Sequence, residues 1–277
     1  MVIVKSMRGP FRVVDVYYPR LPEAEQVVDR LAFNEIIYIR QMPATLPPAR
    51  FSTSGVRFET SLLDLTRDED SLLTDMNRTC RYQLRKADRL RHRIKVRQND
   101  SSAYRDFLAI HNDFVSLKKH SERLSQRRLD AFKPSSDIFV AYFDGRPVCG
   151  HLVLRDNELR RVGVLLTVST RLRTEESSVF ISSLNRWLHW CEMRQYKSEG
   201  MQVYDFCGSG ADTPEKAGIA YFKQSFGGAR VTEHNYVFAR IPGRAAVSLF
   251  YAMRRIRSAT SGYHLRKFRH PLDLTRS

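Results

Sequence analysis

The sequence lacks any long hydrophobic run: no apolar stretch approaches the ~20 residues a membrane helix needs. Its opening, MVIVKSMRGPFRVV, has no apolar segment followed by a small-residue cleavage site. A cytoplasmic protein is the expectation. Cysteine is scarce, with four in 277 residues. Cys80, Cys149, Cys191 and Cys207 form no CxxC pair and stand mostly among apolar neighbours, which argues against a disulfide framework and for reduced, buried thiols. Eight histidines are scattered without an HExxH or a Cys/His cluster, so neither a metal nor a resident cofactor is expected. Internal repeats and low-complexity segments are absent. What remains, 42% hydrophobic and 27% charged residues, is ordinary globular composition, and the length suits one large domain or two small ones.

Acidic residues are missing where they would matter most. The formal net charge is +16. From Arg78 to Arg97 the basic residues face Asp88 alone, and from Arg240 to the end they face Asp273 alone. Two such one-sided clusters call for an anionic partner: nucleic acid, a phosphorylated small molecule, or peripheral contact with an anionic membrane. On a helix, Arg78, Arg81 and Arg85 share one face at spacings of three and four, with Lys86 beside them. That face suits a diphosphate on a nucleotide- or lipid-linked precursor, or a tRNA acceptor stem. A solvated helix face is the alternative, weakened by the shortage of acidic i,i+4 partners.

Periodicity gives the element order. Strands are expected at 11–18, 35–40, 56–66 and 94–98, with a short helix from Pro22 to about Phe33 and another, capped by Asp68 or Ser71, running to about Leu90. The Pro-rich 41–50 is a connection. A helix from Ser101 towards Phe132 follows, then strands at 137–144, 148–155 and 159–169, a helix over 176–198, a strand at 201–206, a helix from Thr213-Pro214 to Gly227-Gly228, and a strand at 230–241. A basic helix near 244–258 comes last. The order α–β–β–β–α–β–α–β implies an α/β (α+β) mixed sheet with helices on both faces. The expected division is a short α/β subdomain over 1–98, a main domain over 99–241 and a basic tail over 242–277.

One lysine stands in an otherwise burial-seeking stretch, AGIAYFKQSFGGARV, residues 217–231. Ile219, Phe222 and Phe226 make an apolar stripe at helical spacing, and Lys223 lies at its edge. Its ammonium either snorkels to water or points inward as a fixed charge. Asp205, at a strand end between Tyr204 and Phe206, either accepts a proton from or orients an incoming ammonium, or caps the next turn. Gly227-Gly228 stop the helix, and also allow a close backbone approach.

Three words and the element order resemble the GNAT acyltransferase fold, in its FemABX-like aminoacyl transferase branch. The words are ETSLLDLTRDEDSLLTDMNRTCRYQLRKADR at 59–89, VYDFCG at 203–208 and GIAYFKQSFGG at 218–228. The resemblance covers about residues 56–240 and implies a GNAT-like fold with a short N-terminal GNAT-like subdomain. It also implies an N-acyltransferase that forms an amide on an amine of a cell-envelope precursor, with aminoacyl-tRNA as cosubstrate. Lys223 is then the transition-state stabiliser. Asp205 is its catalytic neighbour, and Tyr204, Tyr221, Phe226, Gly227 and Gly228 line the substrate with Arg78, Arg81, Arg85 and Lys86. Where GNAT enzymes carry a glycine-rich loop for the coenzyme A pyrophosphate, this chain has TRLRTEESS, 170–178. The departure speaks against coenzyme A bound in the usual way. Acyl-CoA or an acyl carrier, serving an amino sugar or a peptide, is the alternative donor. A non-catalytic RNA-binding protein is the reading from another class.

Overall fold

The computed structural model describes residues 1–46, 52–118, 123–170, 178–208 and 214–240. Two compact units emerge, one of residues 1–58 with the chain from Thr232, the other Glu59–Val231. The division expected at residue 98 falls inside the second unit, because the segment before it shares that unit's core.

In the first unit, β1 (Val2–Arg8) and β2 (Phe11–Tyr17) form an antiparallel hairpin. Helix α1 (Leu21–Asp29) then carries the chain to β3 (Glu35–Met42), which runs parallel to β2. The later strand β10 (Ala229–Ala239) pairs antiparallel with β3. Val14, Val16, Ile37 and Ile39 pack with Ala24 and Val28 of α1 and with Phe238. Strand β1 escaped the sequence reading. Its alternation, with Val2 and Val4 buried and Ile3 and Lys5 exposed, is that of a half-buried edge strand.

The second unit holds strands in the order β4-β9-β8-β7-β6-β5, with β4 belonging to it from Glu59 onward. These are β4 (Ser52–Asp64), β9 (Val203–Asp205), β8 (Arg161–Ser169), β7 (Arg146–Asp156), β6 (Ser136–Phe143) and β5 (Ile94–Gln98). Every residue of β6 is buried, so both sheet faces are covered. Phe139, Ala141 and Phe143 pack with Ile181, Leu184 and Leu188 of α6 (Ser178–Ser198). On the alternate side, Tyr142 donates its hydroxyl to Asp106 of α4 (Ser101–Lys118) at 2.7 Å. Helix α5 (Gln126–Phe132) follows α4, and α7 (Pro214–Gln224) connects β9 to β10. The expected mixed α/β sheet with its α–β–β–β–α–β–α–β order is the one observed.

The helix expected from Asp68 to Leu90 is two helices. Asp68 caps α2 (Glu69–Asp75), its carboxylate accepting the Ser71 N–H at 2.7 Å, and Asn77 caps α3 (Arg78–Asp88), accepting the Cys80 N–H at 2.8 Å. Between them Met76 is extended and buried. A second capping residue, not a breaker, divides the pattern. The expected cap Thr213, the loop over 171–177, the join over 119–122 and the basic helix near 244–258 lie outside the described residues.

Candidate active site

The site begins where two neighbouring strands part. Strand β8 pairs in parallel with β9 over Arg161↔Val203, Val162↔Tyr204 and Gly163↔Asp205, and the pairing ends there. Just beyond, β8 carries an extra residue. Leu152 of β7 faces Leu166 but Val153 faces Val164, which leaves Leu165 as a bulge. A bulge bends its strand and increases its twist, and no β8–β9 pair follows Gly163↔Asp205. Leu165 and Leu166 are half-buried and Thr167 exposed, although β7 is buried from Val148 to Leu154 and β6 along its whole length.

On the other side of the opening the chain turns sharply. Asp205 accepts the N–H of Cys207 at 2.8 Å, an Asx turn. Cys207 and Gly208 both take the left-handed conformation, at φ +47 and +58. In an extended strand successive carbonyls alternate in direction. Two successive left-handed residues remove that alternation and bring the carbonyls of Phe206, Cys207 and Gly208 to one point. The Lys223 ammonium occupies that point, donating to Phe206 O at 2.7 Å, to Gly208 O at 2.8 Å and to Cys207 O. An ammonium has three N–H donors, and all three are engaged. Burial pushes the Lys223 pKa down, against the pull of Cys207 and Asp205. Of the two alternatives the sequence left open, the side chain takes the inward one.

Asp205 itself is wholly enclosed. Besides the Cys207 N–H it accepts from Arg161 Nη2 at 2.7 Å and from the Thr60 hydroxyl. Its carboxylate thus fixes the turn that gathers the three carbonyls. Tyr204, expected at the substrate, is fully buried. Its hydroxyl donates to Glu192 Oε2 at 2.6 Å and lies 2.8 Å from His189 Nδ1. Phe226 is equally enclosed, packed on Phe206, Phe222 and His189. Neither ring has a face left for a ligand. Tyr221 is exposed.

The two glycines serve contacts within the chain. Gly227 has φ +86, and a Cβ there would lie 2.6 Å from the Asp75 carbonyl oxygen; one on Gly228 would lie 2.6 Å from Ser61 Oγ and 2.9 Å from Leu62 O. They let the end of α7 sit against α2 and β4. Arg81 is also committed. Its Nη1 donates to Thr74 O at 2.9 Å and to Met76 O, capping the end of α2. Arg78 and Arg85 are exposed and Lys86 is half-buried.

Several residues that the sequence reading passed over surround this point. His151 Nδ1 lies 2.7 Å from Glu192 Oε1 and its Nε2 lies 2.9 Å from Asn185 Oδ1. His189 stacks on His151 with ring centroids 4.0 Å apart. Burial drives the His189 pKa well below its ordinary value, helped by His151, Lys223 and Arg186, and burial with the nearby Glu192 drives the Tyr204 pKa well above. His151, His189 and Glu192 present metal-type ligand atoms within 4.8 Å of one another. Those atoms are bonded within a closed network, and an ion would have to displace the His151–Glu192 bond. The helical spacing of Asn185, His189 and Glu192 along the apolar face of α6 was the available signal.

Arg186 is a buried cation nearby. Its guanidinium lies 4.2 Å from the centroid of Phe222, with Nη1 donating to Gln83 at 2.9 Å and Nη2 to Ser225 Oγ at 3.3 Å. Among the described residues no carboxylate lies within ion-pair distance of it, and its Nε has no hydrogen-bond partner. Arg186 and the ammonium of Lys223, the residue next to Phe222, therefore add positive potential to one low-dielectric region.

Residues 74–223 match the family described as "Acetyltransferase (GNAT) domain". The search of curated proteins gives no match. Among solved structures, FemX is similar at TM-score 0.60 and 11% identity, with 88% of this chain and 85% of that chain covered. The C-terminal domain of a putative lysylphosphatidylglycerol synthetase from Agrobacterium fabrum is similar at TM-score 0.57 and 14% identity, with 91% and 84% covered. L-PGS from Bacillus licheniformis is similar at TM-score 0.52 and 10% identity, with 86% and 81% covered. At these identities the likeness is one of fold.

Proposed function

Because this chain belongs to the acetyltransferase (GNAT) domain family, we propose that it moves an aminoacyl group from aminoacyl-tRNA to an amine on a phosphate-linked cell-envelope precursor. That the chain is an acyltransferase follows from the family; the donor and acceptor are the proposal. The observation that carries it is the Lys223 ammonium fixed where β8 and β9 part. Two further features support this donor. The chain shares its fold with FemX and with a protein named as a synthetase of lysylphosphatidylglycerol, an aminoacylated lipid. Its sequence at 170–178 also has no glycine for a coenzyme A pyrophosphate loop.

In the proposed reaction the neutral amine attacks the ester carbonyl. The new C–N bond forms, the C–O bond to the terminal ribose breaks, and the amine proton passes to the departing ribose oxygen. Negative charge grows on the carbonyl oxygen in between. A dry, preorganised cation stabilises that charge without reorganisation cost. Lys223 supplies it chiefly as a point charge, since its three donors already hold the 206–208 backbone, and Arg186 adds to the field. Asp205 positions this arrangement, its oxygens accepting from Arg161, Thr60 and the Cys207 N–H.

The test is transfer of label to an amine acceptor from charged tRNA and, separately, from acyl-CoA. Label leaving the tRNA, with turnover falling about 10²–10³-fold in Lys223→Met, supports the proposal. Transfer from acyl-CoA alone establishes the alternative donor. Undiminished turnover in Lys223→Met removes the lysine from the mechanism.

A further inference from the structure

Helix α3 buries Cys80, Leu84 and Ala87 and leaves a different set in water. Arg78, Tyr82, Arg85 and Arg89 are all exposed, at spacings of four, three and four. They make one stripe along the helix, about 16 Å from end to end at 1.5 Å per residue. Tyr82 is 59% exposed. Among the described residues, no acid pairs with Arg78, Arg85 or Arg89. Two basic neighbours outside the stripe are committed elsewhere: Arg81 caps α2 and Arg93 pairs with Asp144.

An aromatic ring standing in water with a free guanidinium one turn to either side matches one chemistry closely. We infer that the stripe Arg78–Tyr82–Arg85–Arg89 is a docking surface for single-stranded nucleic acid, with Tyr82 stacking on an unpaired base and the arginines holding flanking phosphates. A ring stacks on a base only when the base is free of its own stack, which favours a single strand over a duplex. Guanidiniums grip phosphate oxygens in pairs and need no sequence readout. An anionic membrane answers the charge but not the ring. A lipid-facing helix presents several apolar side chains, and Tyr82 is the only large one exposed on α3 among the described residues. The inference deepens the aminoacyl-tRNA reading and rests on it only for why an acyltransferase would hold RNA.

The test uses the full chain and a labelled, unstructured twelve-nucleotide RNA, read by fluorescence anisotropy, with duplex RNA and phosphatidylglycerol vesicles as parallel probes. Tyr82→Ala is expected to weaken single-strand binding by about 5–100-fold, with Tyr82→Trp retaining it. Replacing Arg78, Arg85 and Arg89 together by Gln should flatten the slope of log affinity against log salt by about 2. All four side chains are exposed, and a thermal melt checks that the variants fold. Wild-type affinity in Tyr82→Ala, an unchanged salt slope in the triple variant, or binding of vesicles and not of RNA would each overturn the surface. A protein that binds RNA through the stripe yet takes its acyl group only from acyl-CoA keeps the surface and loses the donor.

Discussion

Arg161 closes on Asp205 with Nη2 2.7 Å from Oδ2, in a pair from which water is almost excluded. The pair makes the role of Asp205 measurable. Removing one member of a buried pair leaves the other charge uncompensated, at about 3–5 kcal/mol. Asp205→Asn should therefore lower stability in chemical denaturation by that order. Arg161→Met combined with Asp205→Asn should recover part of the loss. An Asp205→Asn protein of wild-type stability and no turnover would instead make Asp205 a chemical participant.

Gly227→Ala and Gly228→Ala separate packing from ligand approach. At Gly227 the left-handed conformation alone costs about 1–2 kcal/mol for a residue with a Cβ, and the Asp75 carbonyl stands in the way. At Gly228 the new methyl meets Ser61 and Leu62, and overpacking of this kind costs about 1–3 kcal/mol. Both variants should melt earlier than the parent. Normal melting with a raised KM would place the glycines against substrate.

The buried His189 ties stability to acid. Its folded pKa lies well below the ordinary histidine value of 6.5. As pH falls through that ordinary value, the unfolded chain takes up a proton that the folded chain refuses, so stability drops as pH falls below 6.5. The expectation is a melting temperature that declines from pH 7 to pH 5, and a shallower decline in His189→Phe. Equal slopes in the two proteins would show that other groups dominate the acid limb.

Tyr204→Phe removes a hydroxyl that serves both Glu192 and His189. A buried carboxylate that loses one donor costs about 1–3 kcal/mol. The change should appear in the melt and leave KM alone. A change in KM without a change in stability would return Tyr204 to the substrate.

Strand and helix identity in Glu59–Val231 was legible from periodicity, because α4, α6, β6 and β7 each bury a regular set of residues. The α2–α3 break was written in the sequence too, as Asn77, but a continuing apolar period masked it. Strand β1 was missed for the opposite reason: an edge strand buries only alternate residues and gives a faint signal. At the site, a charged residue on an apolar stripe singled out Lys223. Tyr204, Phe226 and the glycine pair sat beside it in sequence, which does not distinguish a side chain facing ligand from one facing the core.

By itself the sequence determined the order of elements, the excess of positive charge and the presence of one lysine at the edge of a buried helix face. Those are local properties, set by the spacing of apolar residues and the count of ionisable ones. Only the tertiary structure decided where that lysine's three protons go. The convergence of the Phe206, Cys207 and Gly208 carbonyls depends on two left-handed residues, an Asx turn at Asp205 and an ion pair with Arg161, residues far apart in the chain whose directions no one-dimensional pattern encodes.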